Sequence, residues 1–289
     1  MRRWWVGVVA VLAVLVLGGC RTSGSGPVGA SGGGAGTGPL PSSMAAIGDS
    51  ITAGFGTCLV LADCLRNSWA TGDGAIVSSH YKRILSGNKA IRGHVVNYAR
   101  DGATAADLVA QAGQAASAKP AYLTAMIGAN DVCRASIADM TSVADFTSSV
   151  ERALTSVKTL SPQTRVLVVS MPDVYRLWVI GHTSRVVRSV WGGRVCPSLL
   201  ANPESEAAVD VARRQQFKER VEAYDAALAE ACKAMGSHCK WDGGAVHGFQ
   251  FSLSQISALD FFHPNAEGES RIAKLTYPSS FGWGGNAAA

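Results

Sequence analysis

Short apolar runs alternate along the chain with longer segments in which apolar residues recur at helical spacing. The runs at 44–48, 94–98, 122–127 and 166–169 predict strands, and 240–242 predicts a last short strand. Helices are predicted at 74–85, 104–118, 204–235 and 265–275, and a further helix where Phe146, Val150, Ala153 and Val157 share one face before Pro162. Strands separated by helices of this length predict an α/β fold, with a central parallel sheet covered on both faces.

This alternation does not extend to the ends of the chain. Residues 1–20 combine a basic start at Arg2 and Arg3, an apolar run and a small-residue stretch before Cys20, which is typical of a cleaved signal peptide. Residues 21–41 are rich in glycine and serine and predict a flexible tether, because they offer too little apolar surface for a core. The folded domain is expected at 42–277, followed by a loose Gly/Ala-rich tail at 278–289.

The end of the predicted signal peptide has a second interpretation. Leu17-Gly18-Gly19-Cys20 resembles the bacterial lipobox, in which the cysteine is lipidated and becomes the mature N-terminus. An ordinary signal peptide with an incidental cysteine is the alternative. The resemblance implies an exported protein, either held at the outer face of the bacterial cell membrane through Cys20 or secreted.

Charge and cysteine content narrow the class of protein. The formal net charge is only +5, and no basic run with interleaved aromatic residues supports nucleic-acid binding. A monomer is expected.

Six cysteines remain besides Cys20, and an even number in an exported chain favours disulfides over free thiols. They are Cys58, Cys64, Cys133, Cys196, Cys232 and Cys239. Pairing of sequence neighbours is the simplest arrangement, but the connectivity stays open. The chain has no C-x-x-C pair and its histidines are scattered, so no metal site is predicted.

Candidate catalytic residues lie at strand ends and near the end of the domain. Ser50 follows the first strand in a tight turn, where a serine hydroxyl is exposed and needs only a base to become a nucleophile. Asp260 precedes His263 by three residues, so its carboxylate can orient the imidazole toward a serine. Acyl transfer also needs donors for the developing oxyanion. Gly102 and Asn130, after the second and third strands, are candidates beside the Ser50 N–H.

These blocks together resemble the SGNH hydrolase family, also called GDSL lipases and esterases, over most of residues 44–276. The resemblance rests on the segments 48–50, 97–102, 128–131 and 260–264. It implies a flavodoxin-like three-layer α/β/α sandwich and a serine ester hydrolase that needs no cofactor. Ser50 would be the nucleophile, His263 the base and Asp260 its orienting partner. Ser50, Gly102 and Asn130 would form the oxyanion hole. Two stretches, 123–133 and 165–178, are also similar to the phospholipase B branch.

The sequence leaves the substrate open. A lipid or phospholipid acyl ester is the favoured small-molecule substrate, because the aromatic content of 7% offers little for stacking sugars. A carbohydrate O-acetylesterase is the alternative within enzymes, and a non-catalytic surface lipoprotein is the alternative outside them. The segment 174–200 contains Arg185, Arg188, Trp178 and Trp191 without an acidic residue. It is either a specificity element that meets anionic or lipidic groups, or a solvated loop pinned by Cys196.

Overall fold

A parallel sheet of five strands runs through residues 38–284, the part of the chain that the computed structural model describes. The strands are β1 (Met44–Gly48), β2 (Val95–Asn97), β3 (Tyr122–Met126), β4 (Arg165–Val168) and β5 (Cys239–Trp241). Their spatial order is β2-β1-β3-β4-β5, and every neighbouring pair is parallel. This is the flavodoxin-like order, in which the winding direction reverses between β1 and β3 and leaves a crevice at their carboxyl ends.

The register of the central strands brings the turns that follow them together. Every residue of β1 and β3 is buried, which explains their continuous apolar sequences. Met44 at the start of β1 pairs with Tyr122 of β3, and Gly48 at its end pairs with Met126. The two strands therefore end at the same level, and the turns after them are neighbours at the carboxyl edge of the sheet.

Helices connect the strands and form the outer layers. They are α1 (His80–Gly87), α2 (Ala105–Ser117), α3 (Ala129–Val132), α4 (Val143–Leu160), α5 (Tyr175–Gly181), α6 (Arg185–Trp191), α7 (Pro197–Leu200), α8 (Ala208–Met235) and α9 (Ala266–Thr276). In one layer α2 packs beside α4 and α4 beside α8, where the rings of Phe146 and Tyr224 stack with centroids 4.0 Å apart. The α/β sandwich expected from the sequence is confirmed.

The first helix begins later than the sequence predicts. Ser79 caps α1, because its side chain accepts a hydrogen bond from the Lys82 N–H, whereas residues 74–79 form a turn. Gly74 lies against the backbone of Arg66 too closely for any side chain. Its N–H donates to the Arg66 carbonyl over 2.7 Å. This long-range contact overrides the local helical pattern.

Both segments expected to be flexible contain residues that pack against the domain. Phe281 is buried, with its ring centroid 5.1 Å from that of Tyr122. Leu40 packs on the core, and its carbonyl accepts a 2.9 Å hydrogen bond from the Asn88 side chain. The expectation of a loose tail is therefore wrong for 278–284, and residues 38–41 belong to the folded part. The apolar side chains of Leu40 and Phe281 find core surface that the glycine-rich composition around them did not suggest.

The remaining terminal residues, 1–37 and 285–289, are outside the described part. The predicted signal peptide, most of the tether and Cys20 therefore stay predictions. Between residues 38 and 284, no helix is both long enough and apolar enough to cross a membrane.

Disulfides join the six cysteines of the domain in pairs. Two bridges are local and the third links the end of α3 to the start of α7, which fixes the segment 174–200 to the turn after β3. The pairs are Cys58–Cys64, Cys133–Cys196 and Cys232–Cys239.

Candidate active site

The turn after β1 presents Ser50 at the carboxyl edge of the sheet. Gly48 has φ 149°, and a Cβ at this position would overlap the Met126 carbonyl, so only glycine fits there. The chain then turns sharply through Asp49, whose carboxylate accepts the Ile51 N–H over 3.1 Å. These contacts hold the Ser50 side chain in a defined direction at the crevice between β1 and β3.

Gln111 of α2 clamps the start of this turn. Its side-chain carbonyl accepts the Gly48 N–H over 2.7 Å, and its NH₂ group donates to the Gly48 carbonyl over 3.0 Å. Gln111 is only 1% exposed, so both hydrogen bonds are shielded from water. The side-chain amide thus bonds both the N–H and the carbonyl of the last residue of β1, which fixes the start of the Ser50 turn. Nothing in the sequence singled out this glutamine.

His263 bridges the serine and an aspartate. Its Nε2 lies 2.9 Å from the Ser50 Oγ, and its Nδ1 lies 2.6 Å from the Asp260 Oδ2. Because a carboxylate only accepts, Nδ1–H donates to Asp260 and leaves Nε2 to accept the serine hydroxyl proton. Burial by itself would raise the pKa of Asp260. The hydrogen bond and charge of His263, together with the backbone N–H groups of residues 262 and 263, outweigh burial and lower that pKa.

The turns after β1, β2 and β3 each offer a hydrogen-bond donor for an oxyanion. Among the described residues, the backbone N–H groups of Ser50 and Gly102 donate to no protein acceptor. Gly102 is exposed, with φ 74° and open space on the side that a Cβ would occupy. The Asn130 NH₂ group donates one hydrogen bond to the Ala103 carbonyl over 2.9 Å, and its second hydrogen remains free to donate to a substrate. These are the donor types that stabilise tetrahedral intermediates.

The turns after β2 and β3 are bonded to each other. Besides the contact from Asn130 to Ala103, the buried Asp131 accepts the Ala105 N–H over 2.9 Å at the start of α2. Burial raises the pKa of Asp131, which hydrogen bonds from Thr141 and Ala105 partly offset. The segment that contains Gly102 is thus positioned from the neighbouring turn. The sequence placed Gly102 and Asn130 at one sheet edge but did not indicate this link.

Asp49 is a second buried carboxyl group beside the site. Burial raises its pKa to about 7, although the Ile51 N–H and the charge of His263 act in the opposite direction. Asp49 makes no direct hydrogen bond to His263, so its contribution to the site is the shape of the Ser50 turn and a nearby titrating charge.

An apolar cavity of about 30 Å³ is lined by residues that adjoin Ser50, Asn130 and His263 in the chain. Ile51 and Ala129, the neighbours of Ser50 and Asn130, line one part of it. Phe262 and Pro264, on either side of His263, line another. Leu177 and Val174 close it from the segment that follows β4. The space suits a small apolar group attached to an ester carbonyl.

The segment 174–200 contacts the site from this side. Trp191 is buried and its Nε1–H donates to the Phe261 carbonyl over 3.1 Å, two residues before His263. Arg188, by contrast, pairs with Glu204 at 3.0 Å and donates to the His182 carbonyl. The segment therefore borders the site, as one of its two interpretations required. The arginine expected to meet anionic groups already has an acidic partner in the chain.

The structure brings together every candidate that the sequence named for the site. Ser50, His263 and Asp260 form one hydrogen-bonded row, although 213 positions separate the serine from the histidine. Gly102 and Asn130 lie on adjoining turns. The sequence missed the positioning contacts, above all that of Gln111. It also missed Phe55, whose ring centroid lies 4.6 Å from that of His263.

A serine, a histidine and an aspartate linked in this order form the arrangement by which serine hydrolases activate a hydroxyl group. The chain belongs to the GDSL-like lipase/acylhydrolase family, whose model matches residues 44–276. This match confirms the family resemblance read from the sequence.

Solved structures with a similar fold share little sequence with this chain. An extracellular lipase from Streptomyces rimosus is 13% identical, with 81% of this chain and 99% of that chain covered and a TM-score of 0.48. A family 3 carbohydrate esterase from Clostridium thermocellum is 12% identical, with coverages of 81% and 92% and a TM-score of 0.47. TesA is 16% identical, with coverages of 82% and 96% and a TM-score of 0.47. No curated protein sequence matches the chain significantly.

Proposed function

We propose that this protein is a serine hydrolase of carboxylic esters that forms an acyl-enzyme on Ser50. The observation that carries the proposal is the 2.9 Å contact between the Ser50 Oγ and the Nε2 of His263, whose other nitrogen is held by Asp260. A hydroxyl becomes a useful nucleophile when a base of fixed tautomer can take its proton.

The proposed reaction follows from the positions of these groups. Ser50 attacks the ester carbonyl while His263 takes the hydroxyl proton. The N–H groups of Ser50 and Gly102 and the amide of Asn130 hold the oxyanion of the tetrahedral intermediate. His263 then protonates the departing alcohol. Water repeats the sequence on the acyl-enzyme and releases the acid.

Lipid or phospholipid acyl esters are the substrate class that we favour. The cavity presents mainly apolar side chains, including Ile51, Leu177 and Phe262, with Asp173 and Arg176 as its charged lining residues. Its described lining residues include no sugar-binding platform of stacked aromatics. The lipobox-like sequence at Cys20 supports the further proposal that the protein is exported and anchored at the outer face of the cell membrane.

A covalent probe tests the proposed chemistry. A fluorophosphonate should label the wild-type chain, with the adduct on the peptide that contains Ser50, and Ser50→Ala should abolish labelling. His263→Ala should slow labelling strongly, because no base remains to activate the hydroxyl. The control is Ser254→Ala, which removes an exposed serine and should label like the wild type. A wild-type chain that does not react would support the alternative of a non-catalytic binding lipoprotein.

Acetyl ester hydrolysis on carbohydrate is the second candidate, and the size of the cavity favours it. A volume of about 30 Å³ is far below the roughly 300–1,000 Å³ of ordinary ligand pockets, which suits a short acyl group better than a long one. A series of nitrophenyl esters of increasing acyl length, compared with phospholipids and acetylated xylan, separates the two. A steep fall in kcat/KM beyond acetyl would reject lipid esters. A maximum at longer chains would reject the acetylesterase.

A further inference from the structure

A short loop beside the candidate active site exposes three consecutive aliphatic side chains. Leu59, Val60 and Leu61 are 83%, 56% and 61% exposed. They form the tip of the loop at residues 58–64, which the Cys58–Cys64 disulfide closes and which is called the apolar loop below. Isolated exposed aliphatic residues are ordinary on protein surfaces, but a contiguous group marks a place of interaction.

The fold holds this loop in its exposed form. The Gly56 N–H donates to the Ala62 carbonyl, and the Cys64 N–H donates to the Ala53 carbonyl, each over 3.1 Å. Leu59 itself has φ 63°, a left-handed conformation that is unfavourable for a leucine. The loop is therefore braced at its base, and a strained backbone keeps the side chains at its tip in water.

The apolar loop stands at the entrance to the site. Phe55 lies between the Ser50 turn and the apolar loop, and its ring centroid is 4.6 Å from that of His263. On its return, the Asp63 carboxylate accepts the N–H of Asp101, the residue before Gly102, over 3.4 Å. Asp63 is the only charged residue in 58–64 and is engaged with the turn after β2, so the tip of the loop is uncharged.

Further exposed aliphatic residues extend the surface. Leu65 and Ile76 are 45% and 62% exposed, and Leu259, three residues after Ile256 and just before Asp260, is 39% exposed. An open groove of about 910 Å³ runs between the apolar loop and residues 253–267, with Leu59, Ile76 and Leu259 among its lining. The groove therefore extends from Leu59 of the apolar loop to residues on both sides of His263 in the chain, and polar residues such as Arg66 and Glu267 also line it.

The area of this surface favours a lipid boundary over a second copy of the chain. The exposed aliphatic side chains around the apolar loop amount to roughly 500 Å², within the ~300–600 Å² of the largest apolar patch on a typical monomer, which is often functional. A stable protein interface takes about 800 Å² from each partner with close shape complementarity. A lipid surface has no such requirement, because its acyl chains rearrange around any apolar side chain that enters.

We propose that the apolar loop inserts Leu59, Val60 and Leu61 into the boundary between headgroups and acyl chains of a lipid surface. The insertion places the entrance of the site against esters that lie in that surface. The inference rests on the proposed function as an ester hydrolase, and it narrows the substrate class to lipids presented in an aggregate.

The first test replaces the tip and compares two substrates. Full chains that share the same N-terminal segment are assayed on a soluble nitrophenyl ester and on phosphatidylcholine vesicles, with and without phosphatidylglycerol. For Leu59→Ser/Val60→Ser/Leu61→Ser, the ratio of vesicle turnover to soluble turnover should fall on the order of 100-fold. Each aliphatic side chain that enters the boundary only partway contributes roughly a factor of five, less than the tenfold or more of complete burial. The matched control is Leu160→Ser/Val209→Ser/Val211→Ser, which changes exposed aliphatic residues of α4 and α8 and should keep the wild-type ratio.

The second test detects insertion directly and does not depend on turnover. Val60→Trp and Val209→Trp each add one indole to the full chain, at the apolar loop and on α8. Brominated phosphatidylcholine should quench the indole added at position 60, whereas the one added at 209 should stay unquenched. Equal quenching of the two, or an unchanged activity ratio in the serine variant, would overturn the proposal. A dimer in solution that the serine variant converts to a monomer would also overturn it, because the loop would then be a protein interface.

Failure of the two proposals can be told apart. A protein that hydrolyses soluble esters but shows no quenching at position 60 refutes the lipid-surface inference and leaves the hydrolase intact. A protein that does not react with fluorophosphonate refutes the hydrolase, whatever the quenching shows.

Discussion

Replacing Gln111 with methionine tests whether the amide clamp on Gly48 positions the candidate nucleophile. Methionine has nearly the volume and flexibility of glutamine but cannot replace either hydrogen bond. After Gln111→Met, the Gly48 N–H loses its 2.7 Å acceptor and has no other partner. The Gly48 carbonyl loses the 3.0 Å bond from Gln111 but keeps a weaker one from the Arg100 N–H at 3.3 Å.

The expected loss of stability follows from these two atoms. A buried N–H left without a partner costs about 1–3 kcal/mol, and a carbonyl that keeps a second donor loses about 0.5–1.5 kcal/mol. The sum is roughly 1.5–4.5 kcal/mol, a large part of the ~5–15 kcal/mol that stabilises a typical domain. Ser50 follows Gly48 by two residues, so relaxation of the turn also misaligns its Oγ with His263. A misplacement of that kind lowers turnover by about 10- to 100-fold.

Urea unfolding and ester kinetics measure both effects. Gln111→Met should lower the free energy of unfolding by the amount above and reduce kcat more than it raises KM. The control is Gln114→Met, on the same helix but exposed, which should change stability by less than ~0.5 kcal/mol. The reasoning is wrong if Gln111→Met unfolds within ~0.5 kcal/mol of the wild type, or if it is destabilised but retains full kcat.

Two further substitutions test other parts of the site, and a third tests Glu269, a buried acid of α9 whose carboxylate accepts the Trp69 N–H over 2.7 Å. Asp260→Asn should lower kcat by about 10³–10⁴-fold, because an amide can hold the wrong tautomer of His263; a loss below tenfold in ester assays would reject that role. Asn130→Ala should lower kcat by about 10²–10³-fold with little change in KM. A rise in KM with an unchanged kcat would contradict oxyanion binding. Burial raises the pKa of Glu269 well above its usual value, so the folded protein retains a proton that the unfolded chain releases above about pH 4.5. The free energy of unfolding should therefore decline as pH rises above about 4.5. Glu269→Gln should reduce that decline by up to ~1.4 kcal/mol per pH unit. If urea unfolding between about pH 5 and 8 gives the same pH dependence for both proteins, the assignment to Glu269 is wrong.

The parts of the site that could be predicted are those that depend on the ends of strands. Ser50, Gly102 and Asn130 each follow a strand in a parallel sheet, and such strands end at one edge whatever lies between them. His263 could be added because Asp260 precedes it at a spacing that favours contact. The family resemblance then joined these positions into one site.

The parts that could not be predicted depend on contacts between distant surfaces. Gln111 is one of two glutamines in an alanine-rich helix, and only the packing of α2 on β1 brings it to Gly48. The late start of α1 depends in the same way on the contact between Gly74 and Arg66. The packed tail did have a local indication, since aromatic residues such as Phe281 and Trp283 are uncommon in flexible segments. The high glycine and alanine content outweighed it.

Two neighbouring spaces, which share Ile256 as a lining residue, divide the question of the substrate. The cavity lined by Ile51 and Phe262 holds only about 30 Å³, which favours a small acyl group. The groove beside Leu59 and Leu259 is far larger, at about 910 Å³. A long acyl chain is too large for the cavity, and the groove is the larger space beside it. The same ester carbonyl beside Ser50 can therefore belong to a small acyl group that fills the cavity or to a lipid whose chain stays in a lipid surface. The acyl-length preference in solution therefore tests the small cavity, whereas turnover on vesicles tests the groove and the apolar loop.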